Sequence, residues 1–252
     1  MRDAALAGDD FAIASFFTEE YALNAAIAAY PKPYVALIDG FCMGGGIGLS
    51  VHGAIRVATE RAQFAMPETA IGLFPDVGAS YVLPRLPGWI GMWMGLTGIR
   101  LTGADAVHAG IATHFVPSEK LPRLSDAIAQ DGVAAVGAFA CALPAFSLQN
   151  QRSAIDRCFG GDGIDEIIIA LRAETTEWAR TTLEHLGQMS PSSLRWSLDI
   201  IRAGADRELA ECLAAELELV KRVVHHPDLA EGVRAMVIDK DRKPKWQKLA
   251  TA

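Results

Sequence analysis

A chain of 252 residues, 51% of them apolar, is long enough for one full core with room for a smaller lobe. The net charge of −7 argues against non-specific binding to nucleic acid or to an anionic membrane surface, and no apolar run reaches the length of a membrane span. The N-terminus lacks the basic-then-apolar profile of a secretory signal, so the cytoplasm is the expected compartment.

Residues 1–30 are expected to be helical. Phe11, Phe16, Tyr21, Leu23 and Ile27 recur at roughly helical spacing, and Pro31-Lys32-Pro33 stops the run. Tyr34–Asp39 has the β-branched, apolar make-up of a buried strand. Three glycines, Gly44 to Gly46, follow, and Ile47–Ala54 reads as a helix. Ile55–Ala58, Gln63–Met66 and Ala112–Val116 are the other clear strands. So thin a sheet for this many helices suggests that front elements are absent from the chain. Pro67 suits the first position of a helical turn containing Glu68, and Asp76 is placed to cap a helix from Val77 to Leu86. Trp89–Thr97 reads as a buried helix, and Thr102 caps another, Ala104–Ala109, that Gly110 closes. From about Ser118 only helices are expected: Asp165–Leu186, Ser192–Ile201 opened by Ser190-Pro191, Asp206–Val224 and Asp228–Asp239. Leu209, Leu213, Leu217 and Val220 should face inward on the third of these. The expected division is therefore an α/β core over residues 1–125 and a mainly helical lobe over 126–252.

The four cysteines are scattered without a C-x-x-C pair, and no H-E-x-x-H is present, so neither a disulfide frame nor a metal site is expected. A strand running into a glycine turn and then a helix start leaves backbone N–H groups free, and without a Cβ an acyl oxygen can approach them closely. That is the hardware of an oxyanion hole, although a glycine triplet taken alone is more often only a tight turn. Other glycine motifs fail. No Lys-Ser/Thr follows the triplet, the spacing misses G-x-G-x-x-G, and His52 stands where the last glycine of G-x-S-x-G belongs. Glu68 lies in an apolar stretch where burial must be compensated or its pKa will rise, and Asp76, if nearby, would push the two pKa values apart, giving an acid and a base. The plainer alternatives are a first-turn acid and a helix cap. Spacing does not separate Glu20 from Glu19. The basic tail residues Arg234, Lys240, Arg242, Lys243 and Lys245 read first as a solvated face and second as partners for a nucleotide phosphate.

The stretches PKPYVALIDGFCMGGGIGLSVHG, RVATERAQFAMPETAIGLFPDVGASYVLPRLPG, LTGADAVHAGIATHFVP, MSPSSLRWSL and EGVRAMVIDKDRKPKW together resemble the crotonase (enoyl-CoA hydratase/isomerase) superfamily, and within it the 3-hydroxyisobutyryl-CoA hydrolase branch. MGGGIGLSVHG with PETAIGLFPDVG is the specific part. The resemblance implies an α/β crotonase-like superhelix, N-terminally truncated, with a helical C-terminal lobe. It implies that the Gly45 amide donates to the thioester oxygen, that Glu68 carries the acyl chemistry, and that Asp76 and Glu20 line the acyl pocket. Hydratases of the superfamily carry a second glutamate two residues after the triplet, where this chain has Gly48, and many have glycine at the place of Asp76. The expected reaction is therefore hydrolysis of a short branched 3-hydroxyacyl-CoA, as in valine breakdown, with no cofactor beyond the coenzyme A of the acyl-CoA substrate. An enoyl-CoA isomerase or hydratase, or a non-catalytic acyl-CoA binder, is the alternative, and a homo-oligomer is compatible with each. The resemblance also implies a preceding segment like FCAGGDV that supplies the other oxyanion amide. Its expected absence implies either a poor catalyst or a misassigned chain start, since one donor is worth roughly 10²–10³ in rate.

Overall fold

The computed structural model describes residues 2–248. Helices α1 (Arg2–Ala7) and α2 (Asp10–Ala28) occupy the stretch expected to be one helix. Gly8 takes a left-handed φ of +67°, and the Asp9 carboxylate caps α2 by accepting from the Ala12 N–H at 3.0 Å. The buried face of α2 is Ile13, Phe17, Tyr21, Asn24 and Ile27. Of the residues picked by spacing, Tyr21 and Ile27 point inward, whereas Phe11, Phe16 and Leu23 are exposed. Large apolar side chains lie on both faces of this helix, and periodicity alone does not choose between them.

The core of the architecture is a repeated unit of strand, corner and strand. Strands β1 (Val35–Ile38) and β2 (Phe41–Met43) flank the corner at Asp39-Gly40; helix α3 (Gly45–Val51) follows, and β3 (Ile55–Ala58) and β4 (Gln63–Ala65) repeat the pattern. β1 pairs in parallel with β3 from Val35↔Ile55 to Ile38↔Ala58, and β2 with β4 from Phe41↔Gln63 to Met43↔Ala65. One turn of a superhelix is thereby stacked on the next. The corners are tied together, because Asp39 accepts from Thr59 Oγ1 at 2.6 Å and from the Arg61 guanidinium. Strand β5 (Leu101–Thr102) adds antiparallel to β4, and β6 (His114–Phe115) adds parallel to β3. β2 and β5 escape sequence reasoning because strands this short carry no periodicity.

The stretch expected to be a helix from Val77 to Leu86 begins differently. Val77 and Gly78 have φ of +55° and +83°, so the helix α4 starts only at Ala79 and runs to Val82, with a 3₁₀ turn from Leu83 to Arg85. The Asp76 side chain does not cap it. Helix α5 (Ile90–Thr97) is buried along its whole length, as expected. Helix α6 (Gly103–His108) is capped by Thr102, whose hydroxyl accepts from the Asp105 N–H.

Beyond β6 the regular elements are helical: α7 (Leu121–Asp131), α8 (Val136–Phe139), α9 (Arg152–Phe159), α10 (Ile164–Ala173), α11 (Glu177–Gln188), α12 (Pro191–Ala203), α13 (Leu209–Val223) and α14 (Pro227–Val233), the last continuing as a π-helical turn from Arg234 to Ile238. The expected helix Asp165–Leu186 is broken in two, since Glu174 is extended and Thr176 caps α11 by accepting from Ala179 N–H. Arg234 is engaged by Glu231, Asp239 and Asp241, so it is not a cation awaiting a phosphate. One cluster of buried apolar side chains reaches from Ile13 on α2 through Phe64, Phe74 and Met94 to Ile201, Val220 and Leu229. Among the described residues no helix is long and apolar enough to cross a membrane.

Candidate active site

The register of β2 against β4 builds the site. Pairing Met43 with Ala65 brings the glycine turn after β2 beside the turn after β4, and the Gly44 N–H donates to Ala65 O at 3.3 Å. Gly44 has φ +52°, a conformation that side-chain-bearing residues rarely adopt. Gly45 and Gly46 are the first residues of α3, where N–H groups have no carbonyl partner within the helix. Both are half-buried.

Glu68 opens a 3₁₀ turn that ends at Ile71 and closes through Gly72 at φ +77°. That turn is gripped from several sides. Thr69 donates its hydroxyl to Leu96 O at 3.2 Å and accepts Ser190 N–H on its carbonyl at 3.1 Å, while the backbone of Asp228 in α14 packs directly on Gly72. The Glu68 side chain is 5% exposed and is directed at the glycines; a Cβ on Gly44 would stand 2.8 Å from its Oε1. Its Oε2 has no hydrogen-bond partner within the protein. Burial, and then the charge of Asp76, push its pKa well above the usual carboxylate range.

Asp76 is equally buried at 5% exposure, and Tyr21 on α2 donates its phenol to Oδ2 at 2.9 Å. Burial first, and then the negative charge of Glu216, raise the Asp76 pKa from 3.8 to about 8. Tyr21 is held protonated by its own burial and by the acids around it. Glu20 is half-buried one residue before Tyr21, and a Cβ on Gly45 would stand 3.1 Å from its Oε1. Burial raises its pKa as well. Glu19, its neighbour, is exposed and instead accepts from Ser15.

All four residues singled out from the sequence, Glu68, Asp76, Gly45 and Glu20, are therefore brought together. The structure adds three that spacing did not indicate: Tyr21, Asn24 and Glu216. Asn24 is 1% exposed and lies against Gly48, where an added Cβ would stand 2.9 Å from its Nδ2 and 2.6 Å from Val77 Cβ. Glu216 sits between Leu213 and Val220 on the inward stripe of α13, and a glutamate at that spacing was the one available signal. No lysine or arginine figures among the groups acting on Glu20, Glu68, Asp76 or Glu216. His52, the nearby base, bonds Val77 O through Nε2 at 2.8 Å, and burial keeps its pKa below the usual histidine value. Four clefts open elsewhere on the surface, the roomiest about 550 Å³ between α10 and α12, and none of the four is lined by Glu68, Asp76 or Gly45. Among the described residues no group of three His, Cys, Asp or Glu side chains is arranged to hold a metal ion.

The sequence profile described as enoyl-CoA hydratase/isomerase matches residues 1–252. The chain belongs to the enoyl-CoA hydratase/isomerase family. Members with which it aligns include the mitochondrial 3-hydroxyisobutyryl-CoA hydrolases of Xenopus tropicalis, 47% identical over 256 residues, and of Homo sapiens, 46% identical over 244. These alignments cover 97% and 92% of this chain but 66% and 63% of those proteins, so the chain spans about two thirds of their length. Among solved members of the family, a carnitinyl-CoA dehydratase from Mycobacterium thermoresistibile superposes with a TM-score of 0.92 at 41% identity, covering 97% of this chain and 71% of that one. An enoyl-CoA hydratase from Rhodobacter sphaeroides 2.4.1 gives 0.92 at 40% identity, with 98% and 73% covered. The crotonase-like α/β fold expected from the sequence is the fold found.

Proposed function

We propose that the chain carries the reacting groups of a CoA-thioester hydrolase acting on short branched 3-hydroxyacyl-CoA, with 3-hydroxyisobutyryl-CoA as the representative substrate. The observation that carries this assignment is the placement of the second acid. In a hydratase of the superfamily, the resemblance implies, a second glutamate would stand at position 48; here Gly48 is packed against Val77 and Asn24 and leaves no room for a side chain. The second carboxyl group is instead that of Asp76, held by Tyr21 beside Glu68.

The thioester carbonyl oxygen would sit against the Gly45 N–H. Glu68, once deprotonated, either attacks the carbonyl carbon to form a mixed anhydride or takes a proton from water that attacks in its place. In both routes the C–S bond breaks as the tetrahedral intermediate collapses, and the departing thiolate needs a proton; in the first route water then cleaves the anhydride, freeing the hydroxy acid and the Glu68 carboxylate. Asp76, with a pKa raised to about 8, still holds one at neutral pH and supplies it. Glu20 borders the glycine turn and receives the polar end of the acyl group. Coenzyme A enters as part of the substrate, and no other cofactor is required by this chemistry.

A second assignment, hydration or isomerisation of an enoyl-CoA, draws on the hydratase named among the solved relatives. The two separate on one assay. Thiol release from 3-hydroxyisobutyryl-CoA by the wild type, lost in Glu68→Gln, supports hydrolysis. An enzyme that releases no thiol but moves or hydrates a double bond, and that tolerates Asp76→Asn, overturns it. Oxygen-isotope label from solvent entering the Glu68 carboxylate in a single turnover is expected only from the anhydride route.

A further inference from the structure

The acid at position 76 is held in place by a residue from the other end of the chain. Val77, which is almost fully buried, has a left-handed φ of +55°, and Gly78 follows at +83°. A β-branched residue does not stay in that region unless its surroundings hold it there. The surroundings are specific. His52 bonds Val77 O on one side, and on the other the Glu216 carboxylate accepts from Gly78 N–H at 2.8 Å, from Ser80 N–H at 3.0 Å and from the Ser80 hydroxyl. Glu216 is fully buried on α13, a helix that packs against both α2 and α4, and both of its oxygens are used on this turn.

We propose that Glu216 is a positioning residue for Asp76: by clamping the left-handed turn Val77-Gly78 from α13 it holds the Asp76 carboxyl against Tyr21 at the reacting centre. The inference rests on the proposed hydrolytic role of Asp76 and adds to it a residue that touches no reacting atom. A buried, hydrogen-bonded carboxylate does this work better than an apolar side chain because the turn presents two N–H groups and a hydroxyl that would otherwise be left unpaired. Its charge also acts on Asp76. The titratable groups around Glu216 include Asp76, Tyr21 on α2, Cys212 on its own helix and, across Gly78, His52 at the end of α3, and burial raises Glu216 itself to about 7. Removing the Glu216 charge should therefore let Asp76 ionise at lower pH.

The test compares Glu216→Gln, Ser80→Ala and Asp76→Asn, alone and combined, by thiol release over a pH series. Glu216→Gln should lower kcat by ~10- to 100-fold with KM changed less than about threefold, the loss typical of a misplaced group. Its alkaline limb should move to lower pH, and in the Asp76→Asn background it should cost little more. Ser80→Ala, which removes one donor without disturbing the carboxylate, should give a smaller loss in the same direction and serves if Glu216→Gln does not fold. Losses that multiply in the double variant, or an alkaline limb that stays in place in a folded Glu216→Gln protein, overturn the proposal. Should the wild type release no thiol, the hydrolytic assignment fails on its own. The clamp is then read by carbon NMR of labelled aspartate, where the Asp76 resonance (identified by its loss in Asp76→Asn) should titrate at lower pH in Glu216→Gln, and an unchanged titration overturns it.

Discussion

The reactivity proposed for Glu68 follows from how its carboxyl group is held. One oxygen is directed at the glycine turn and the other has no partner in the protein, so burial and the nearby Asp76 outweigh the single backbone hydrogen bond that favours the charged form, and the group becomes a strong base when it does ionise. Glu68→Gln is expected to reduce thiol release by about 10²–10⁴-fold while acyl-CoA binding changes only a few-fold, measured by a thiol-reactive dye and by calorimetry. Gly48→Glu asks a different question, whether a hydratase can be made by restoring the missing acid. The nearest atom of Val77 would be 2.6 Å from the new Cβ. The substitution should destabilise the fold by about 1–3 kcal/mol in denaturant titrations and yield no hydration of an enoyl-CoA. The glycine triplet, Glu68 and Asp76 could be singled out in the sequence, through spacing that left their roles open and a resemblance that proposed them, because they sit in two short segments whose neighbours are local or one strand apart. Glu216 was not, because its partners Gly78 and Ser80 lie 138 and 136 residues away along the chain. Spacing left Glu20 and Glu19 alike; the resemblance singled out Glu20, and the face of α2 separates the two, Glu20 half-buried and Glu19 exposed.

At the scale of elements, the turn carrying Glu68 is only as firm as the helices that grip it. Ser190 does two jobs there: its hydroxyl caps α12 by accepting from Ser193 N–H at 3.1 Å, and it donates to the fully buried Asp228 at 2.6 Å. Ser190→Ala removes a cap and leaves a buried acceptor short of one donor, so a loss of about 1–3 kcal/mol is expected in denaturant unfolding. A fall in kcat should accompany it if α14 slackens against Gly72. The Ser190-Pro191 start was readable, since serine followed by proline is a local signal with one geometry. The break between α10 and α11 was not, because isoleucine, leucine and tryptophan continue at helical spacing across Glu174 while the backbone leaves the helix. Strands β1, β3 and β4 were read to within a residue or so from their apolar composition. β2 and β5 exist because the superhelix stacks them on β4, a long-range cause that no short window contains.

Across the whole molecule, the buried acids set how stability follows pH. Folded, Asp76 keeps its proton to about pH 8 and Glu216 to about 7, whereas the ordinary values for the two groups are 3.8 and 4.5. The native state thus binds more protons than the unfolded chain over that interval. Each group's contribution is fully present below its unfolded pKa and is lost as pH rises through its folded one. The melting temperature should decline between about pH 5 and about pH 8.5, and Asp76→Asn should flatten that slope, both followed by scanning calorimetry. Glu231, held down to about 2 by Arg234, works in the opposite sense and only below about pH 4.5.

The same crowd of carboxyl groups bears on turnover in the proposed reaction. Hydrolysis there would convert a neutral acyl carbonyl into an anion beside Glu20, Glu68 and Asp76, on none of which a lysine or arginine acts. The newborn carboxylate is repelled from the place where it formed, and expulsion is stronger the more of the surrounding acids are ionised. Inhibition by the free hydroxy acid should accordingly be weak, and its inhibition constant should climb between about pH 6 and about pH 8.5.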